Sequence, residues 1–249
     1  MGSEEVKVIG SCVSPFAART MIAFNIKCVE YELIEENILN KSDLLLKSNP
    51  IYKKIPVLIH GQRPICESLV ILQYIDQVWA SGPPILPSDP YDRAMARVWA
   101  AYIDDKLAKF VESLPWTTLW QFFRVFCSTS SDPESRGEEG QKAAAVDKAT
   151  QILVVLEDAF TQCSKGRKFF GGDRIGYLDI ALGSFLPWVR VIHKMCGVSL
   201  IDECKTPKLF RWAQHFSADA AVQDVLPETD KLLEFAQLFV AKLRKPSTV

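Results

Sequence analysis

Apolar positions between Glu5 and about Leu58 change rhythm every few residues, the pattern of short alternating elements rather than of one long helix. Val6, Val8 and Ile9 form a β-rich run, Arg19 to Ile26 has helical spacing, and Cys28 to Ile34 alternates apolar and polar as a half-buried strand does. A short helix is predicted over Lys41 to Lys47, closed by Pro50. Strand-like Val57 to His60 follows, then a turn at Gly61-Gln62, a strand over Pro64 to Cys66 and a helix from Glu67 to Trp79. The predicted order is βαβαββα, a small α/β module that covers one sheet with helices.

Residues 81–90 carry Pro83, Pro84, Pro87 and Pro90, and such a stretch continues neither helix nor sheet. A linker is therefore expected there, between a domain of residues 1–80 and one of residues 91–249. Beyond it the rhythm turns helical. Met95, Val98, Trp99, Tyr102, Ile103, Leu107, Phe110 and Leu114 recur at spacings of three and four, as do Val146, Ala149, Leu153, Leu156 and Phe160. Polar, breaker-rich Ser128 to Gly140 is expected to be a mobile loop between two long antiparallel helices. Further helices are predicted over Tyr177 to Lys194, Leu209 to Ser217 (opened by Pro207) and Asp230 to Leu243 (preceded by Pro227). The expected fold class is α/β followed by all-α, without internal repeats.

Composition narrows the functions. Hydrophobic residues make up 48% of the 249 and charged residues 24%, which excludes a disordered chain and a collagen. With 29 Lys and Arg against 30 Asp and Glu, there is no basic surplus to drive binding to a nucleic-acid backbone. Seven scattered cysteines without a C-x-x-C pair, and three histidines far apart, predict a reducing compartment and no bound metal. The acidic start, Met1 to Val6, does not fit a signal peptide, and Val6 breaks the myristoylation pattern. Leu178 to Ile192, the most apolar stretch, is interrupted by Asp179 and Arg190 and is too short to span a bilayer. A cytoplasmic enzyme or binding protein is expected.

Four stretches carry candidate chemistry. Ser14 before Pro15 has the form of a helix N-cap with Pro at the first helical position, which places a hydroxyl and free N–H groups at the positive end of a helix. On these residues alone, Ser14 could equally be a simple cap. In Lys53-Lys54-Ile55-Pro56-Val57, a proline stands at the mouth of a strand. A cis bond there would turn the main chain of Ile55 outward toward a peptide-like ligand, whereas a strand-opening proline beside two solvated lysines is the plain alternative. Glu67-Ser68 opens an apolar helix, where free donors suit a carboxylate, and Lys41 stands beside another helix start. Each is weak singly. Together they describe a site for a small anionic peptide with two carboxylates.

The chain resembles plant tau-class glutathione transferases over nearly its whole length. The matching blocks are S-P-F-A-A-R from Ser14, N-K-S-D-L-L-L-K-S-N-P from Asn40, K-K-I-P-V-L from Lys53, E-S-L-V-I-L-Q-Y-I-D from Glu67, I-L-P-S-D-P-Y-D-R-A-M-A-R from Ile85, and F-F-G-G-D-R-I-G-Y-L-D-I-A-L-G-S-F from Phe169. The resemblance implies a thioredoxin-like N-terminal domain that holds glutathione as co-substrate, and an all-helical C-terminal domain that lines the site of a hydrophobic electrophile. By position, Ser14 corresponds to the catalytic serine that stabilises the thiolate. Lys41 and Lys54 correspond to ligands of the glycine carboxylate, Ile55 to the backbone partner of the cysteinyl unit, and Glu67 and Ser68 to binders of the γ-glutamyl end. Pro56 takes the place of a cis proline, and Arg19 and Asp104 that of supporting polar residues on helices facing the cleft. A homodimer is implied as well, with the N-terminal domain of one subunit against the helical domain of the other; the residues add that the helix from Glu67 to Trp79, apolar over much of its circumference, is expected against the partner's Asp92 to Arg97 segment, with Arg93 or Arg97 meeting an acid such as Asp76.

Other functions remain open on the residues. A glutathione-dependent thiol-disulfide or peroxide reductase would need a cysteine just before Pro15, and Cys12 is not there. A carrier of hydrophobic ligands or conjugates could keep the fold without the chemistry, and a serine hydrolase lacks both the G-x-S-x-G elbow and a nearby histidine. For the electrophile pocket, Phe16 and Trp116 are the first candidates and Trp120 and Trp188 the next. The aromatics near Trp120 fit a helix-bundle core equally well.

Overall fold

A computed structural model describes residues 5–109 and 133–243. Its first elements are β1 (Val6–Gly10), α1 (Pro15–Lys27), β2 (Glu32–Glu35), α2 (Asp43–Ser48), β3 (Val57–His60), β4 (Arg63–Cys66) and α3 (Ser68–Val78), in the order read from the sequence. The four strands form one mixed sheet in the order β2-β1-β3-β4. β1 and β2 are parallel, and the other two pairings are antiparallel. On one face, Ile9, Leu45 of α2 and Val57 form a buried cluster against which Ile34, Ile55, Ile59 and Cys66 pack. On the face of Val8 and Gly10 lies α1, so close that a Cβ on Gly10 would stand 3.0 Å from the Cβ of Ala17.

Helix α1 starts where the cap predicts, with the Ser14 side chain accepting from Ala17 N–H and Pro15 at the first helical position. It ends at Cys28, whose φ of 52° is left-handed and whose N–H bonds back to Asn25 C=O. The expected strand over 28–34 therefore begins only at Glu32, because Cys28 and Val29 are still closing the helix.

Helix α4 (Pro90–Tyr102) runs into a π-helical segment, Ile103–Ala108. Next among the described elements is α5 (Pro133–Ser164), so the expected loop over 128–140 is helical from Pro133 onward. Proline suits that first position, and the Glu, Arg, Gln, Lys and Ala residues that follow have high helix propensity. The single helix expected over 177–194 is two: α6 (Tyr177–Gly183) and α7 (Leu186–Cys196), with Pro187 in the first turn of the second. α8 (Pro207–Ser217), α9 (Ala220–Gln223) and α10 (Thr229–Leu243) complete the order.

The chain divides into two compact units. One comprises Met1–Ala100, Cys163–Ser184 and Gln214–Pro227, and the other Ala101–Gln162, Phe185–Ala213 and Glu228–Val249. In the first, Asp76 holds the proline-rich segment down. Its carboxylate pairs with Lys27 at 2.8 Å and accepts from the N–H groups of Ile85 and Leu86 at 2.9 and 3.0 Å. Burial alone would raise the Asp76 pKa, but the Lys27 ammonium and the two N–H donors outweigh it and lower the value. Asp76 is thus occupied within its own chain and is not a spare acid for a partner's arginine. Arg93 and Arg97 are also engaged locally: Arg93 donates to Pro87 and Ser88 C=O, and Arg97 to Gln73 at 2.9 Å. In the second unit, Glu157 accepts from Lys208 and Leu209 N–H at the start of α8, and Lys194 of α7 pairs with Asp230 of α10. No helix among the described residues is long and apolar enough to cross a membrane.

Candidate glutathione site

The sheet register gathers the candidate residues at one end of the first unit. Gly10 pairs with Glu35, Ile9 with Val57, and Val57 with Cys66. The carboxyl ends of β1, β2 and β4 and the amino end of β3 therefore coincide, and the next residues outward are Ser11 to Ser14, Glu36, Ile55-Pro56 and Glu67-Ser68.

Ser14 is 9% exposed. Its N–H donates to Ser11 C=O at 2.9 Å, and its Oγ accepts from Ala17 N–H at 3.3 Å. A hydroxyl has one proton and two lone pairs. The Ser14 proton is not donated to any acceptor among the described residues, so it remains available at a helix N-terminus. The loop before it is tied to β2: Glu35 accepts from Ser11 Oγ at 2.7 Å and from Cys12 N–H at 3.2 Å. Partial burial and the Glu35 carboxylate push the Cys12 thiol pKa up, which keeps the thiol protonated.

The Ile55–Pro56 peptide bond is cis. The Ile55 side chain packs against the cluster of Ile9, Leu45 and Val57, while its N–H and C=O take no hydrogen-bond partner among the described residues. Glu67 is exposed and stands just before α3 at φ 69°, ψ 111°, an uncommon conformation for a residue with a side chain. Its carbonyl accepts from Ile71 N–H at 2.9 Å. Ser68 is buried, and its Oγ accepts from Arg19 Nη1 at 3.1 Å. Arg19 is fully buried rather than facing a cleft. It also donates from Nη2 to Ala181 C=O at 2.9 Å, and its guanidinium carbon lies 5.1 Å from the centre of the Phe16 ring. Phe16, expected as a pocket wall, is thus also the shelf on which Arg19 rests. Lys41 and Lys54 are both exposed, on either side of α2.

Asp104 and Trp188 lie in the second unit, half-buried, on the π-helical segment and on α7. Trp116 and Trp120 lie outside the described residues. Glu36 and Asn49, which sequence reasoning passed over, are buried at this end of the sheet. The only local signals were that one adjoins Glu35 at a strand end and the other precedes Pro50. No group of three or more His, Cys, Asp or Glu among the described residues could hold a metal ion.

Residues 4–77 match the family "Glutathione S-transferase, N-terminal domain", and residues 139–215 match "Glutathione S-transferase, C-terminal domain". Glutathione S-transferase U17 of Arabidopsis thaliana is 49% identical over 97% of this chain and 99% of its own length. The structure of a tau-class glutathione S-transferase from mango, Mangifera indica, is similar with a TM-score of 0.79 and 51% identity, over 94% of this chain and 98% of that one. A rice glutathione transferase solved with glutathione has the same TM-score, 0.79, at 35% identity, over 97% of this chain and 99% of its own. The chain belongs to the glutathione S-transferases, and within that family to the tau class. Its fold is accordingly a thioredoxin-like N-terminal domain with a helical C-terminal domain.

Proposed function

We propose that this transferase conjugates the thiolate of glutathione to hydrophobic electrophiles, with the Ser14 hydroxyl donating to the sulfur anion. The observation that carries this assignment is the Ser14 proton, donated to no acceptor among the described residues, at the head of α1 on the sheet end that also presents the Ile55 main chain and the Glu67-Ser68 turn. Residues 1–80 carry the glutathione site in this proposal. A free thiol has a pKa near roughly 8.5, so only a few per cent is thiolate at neutral pH. A hydrogen bond to a charged group contributes about 1.5–3 kcal/mol, or about one to two pKa units, and the helix N-terminus acts in the same direction. Ser14 holds no proton-accepting role. It makes the anion cheaper to form and leaves it aimed at the electrophile. The raised Cys12 pKa counts against a thiol-disulfide mechanism at this site.

In the same proposal, Ile55 pairs its main chain with the cysteinyl unit, Glu67 and Ser68 hold the γ-glutamyl end, and Lys41 and Lys54 hold the glycine carboxylate. Lys54→Ala is expected to raise KM for glutathione about tenfold or more, the loss of a charge-assisted bond of about 1.5–3 kcal/mol, with a smaller change in kcat. Steady-state kinetics at saturating electrophile measure both. An unchanged KM in the Lys41→Ala and Lys54→Ala enzymes alike would place the glycine carboxylate elsewhere.

The proposal includes a homodimer. Ile51, Tyr52, Val70, Tyr91 and Val98 are large apolar side chains left exposed in the first unit, Ile51 at 81% and Tyr91 at 72%. Val70 lies on α3, and Tyr91 and Val98 on α4. A two-fold contact through these helices would take that surface out of water. Light scattering at micromolar concentration is expected to give the mass of two chains, and the mass of one would refute the dimer. A cytoplasmic setting is supported by the free thiols Cys12, Cys28, Cys66, Cys163 and Cys204.

A further inference from the structure

Exposed lysines grip a small anion only as well as their backbones are held, and two buried side chains hold these. Glu36, 5% exposed, accepts from Ser42 N–H at 2.8 Å and from Ser42 Oγ at 2.6 Å, on the residue next to Lys41. The Ser42 Oγ in turn accepts from Leu45 N–H at 3.2 Å, capping α2. The N–H of Glu36 donates to Gly10 C=O at 2.7 Å, which ties the Lys41 segment to the end of β1. Asn49, 2% exposed, works at the other end of α2. It donates from Nδ2 to Lys54 C=O at 2.9 Å and accepts from Tyr52 N–H through Oδ1 at 3.1 Å. Its carbonyl accepts from Lys53 N–H at 2.9 Å, where Lys53 stands at φ 52°.

We infer that Glu36 and Asn49 are positioning residues for the glycine carboxylate of glutathione, fixing the Lys41 and Lys54 backbones so that both ammonium groups meet one anion. The inference rests on the assignment of Lys41 and Lys54 made above. A buried carboxylate is a poor choice beside an anion site unless its hydrogen bonds matter more than its charge. On charge alone, removing Glu36 would tighten binding of an anion, whereas loss of position weakens it, so the sign of the effect separates the two.

The test compares glutathione with its glycyl monoethyl ester, in which the glycine carboxylate is masked, at saturating electrophile. The wild-type enzyme is expected to favour glutathione by about tenfold in KM, as for loss of a charge-assisted bond. Glu36→Ala and Asn49→Ala are expected to lose most of that preference by raising KM for glutathione, with KM for the ester and kcat little changed. Asn49→Ala removes the donor to Lys54 and the acceptor for Tyr52 without adding a charge beside the anion. Glu36→Gln, which keeps an acceptor for Ser42 N–H, is expected to recover most of the preference that Glu36→Ala loses. In a Lys54→Ala background, Asn49→Ala should add little further. A wild-type enzyme that treats the two peptides alike overturns the lysine assignment and the inference with it. A discriminating wild type whose variants keep the preference, or raise both KM values equally, overturns the inference alone.

Discussion

Ser14→Ala is expected to remove most conjugating activity at neutral pH while leaving KM for glutathione close to the wild-type value. The side chain lies at the sulfur end of the proposed site, whereas the peptide's charged ends are assigned to Lys41, Lys54, Glu67 and Ser68, which the substitution does not touch. Losing a hydrogen bond of about 1.5–3 kcal/mol to the anion raises the bound thiol's pKa by about one to two units. The thiolate fraction at neutral pH then falls by about tenfold or more. The loss is not uniform across pH, because the thiolate formed without the hydrogen bond is more basic and intrinsically more nucleophilic. The rising limb of the pH–rate profile, which follows ionisation of the thiol, should therefore move up by about one to two units, and the variant should recover much of its rate once the thiol is ionised. Ser14 also caps α1 through Ala17 N–H at 3.3 Å. Replacing a cap costs about 0.5–2 kcal/mol of stability, so thermal midpoints must be read beside the kinetics. Cys12→Ala should keep wild-type turnover. The serine assignment fails if Ser14→Ala keeps its activity and pH profile, and fails doubly if Cys12→Ala loses them.

How far the sequence predicts these features depends on whether the deciding force is local. Ser14 caps the helix that follows it, and β3 falls on Val57–His60 as its apolar run suggests, because caps and alternation are set within a few residues. β2 was overextended because Val29 and Tyr31 are apolar for reasons other than a strand. Val29 N–H closes α1 on Phe24 C=O, and the Tyr31 ring stacks on Phe24 at 5.2 Å. The break between α6 and α7 is hidden inside a largely apolar run, since all of α6 and the first two residues of α7, Leu186 and Pro187, are buried. Helix α5 was masked by Pro133, Gly137 and Gly140, which read as breakers although proline suits a first turn. In the candidate site, the cap and the proline were visible as motifs. Nothing local distinguishes Glu36, which braces the Lys41 segment, from Glu35, which braces Ser11 and Cys12. The roles of such residues come from partners brought together by the fold, as does that of Asp179 in a block recognised only as a resemblance.

Asp179→Ala is expected to be the most damaging single substitution for stability. Asp179 is fully buried in α6 and accepts three main-chain hydrogen bonds, from Phe170 and Gly171 at 2.8 Å each and from Gly176 at 2.9 Å. Those donors belong to a turn that cannot easily rearrange. Gly171 and Gly176 pack so closely that a Cβ on Gly171 would lie 2.8 Å from Gly176 N, and Gly172 holds φ at 97°. The turn also feeds the proline-rich segment, because Tyr177 N–H donates to Ile85 C=O at 2.9 Å and the Tyr177 hydroxyl donates to Leu69 C=O at 3.1 Å on α3. Alanine would leave the N–H groups of buried Phe170 and Gly176 without acceptors, each costing about 1–3 kcal/mol, would free the N–H of exposed Gly171, and would add an empty space where the carboxylate was. The sum, about 4–5 kcal/mol after partial relaxation, is a large part of the ~5–15 kcal/mol that holds a typical domain together. Asp179→Asn keeps the volume and one oxygen but points an amide N–H at a donor, so it should fall between alanine and wild type. Urea denaturation followed by tryptophan fluorescence measures the midpoints. The expected order is wild type, then asparagine, then alanine, with the fraction of each variant that folds keeping its KM for glutathione. Midpoints of the alanine protein within a few tenths molar of wild type would mean that water replaces the carboxylate at those N–H groups, and the turn would then owe its shape to the glycines.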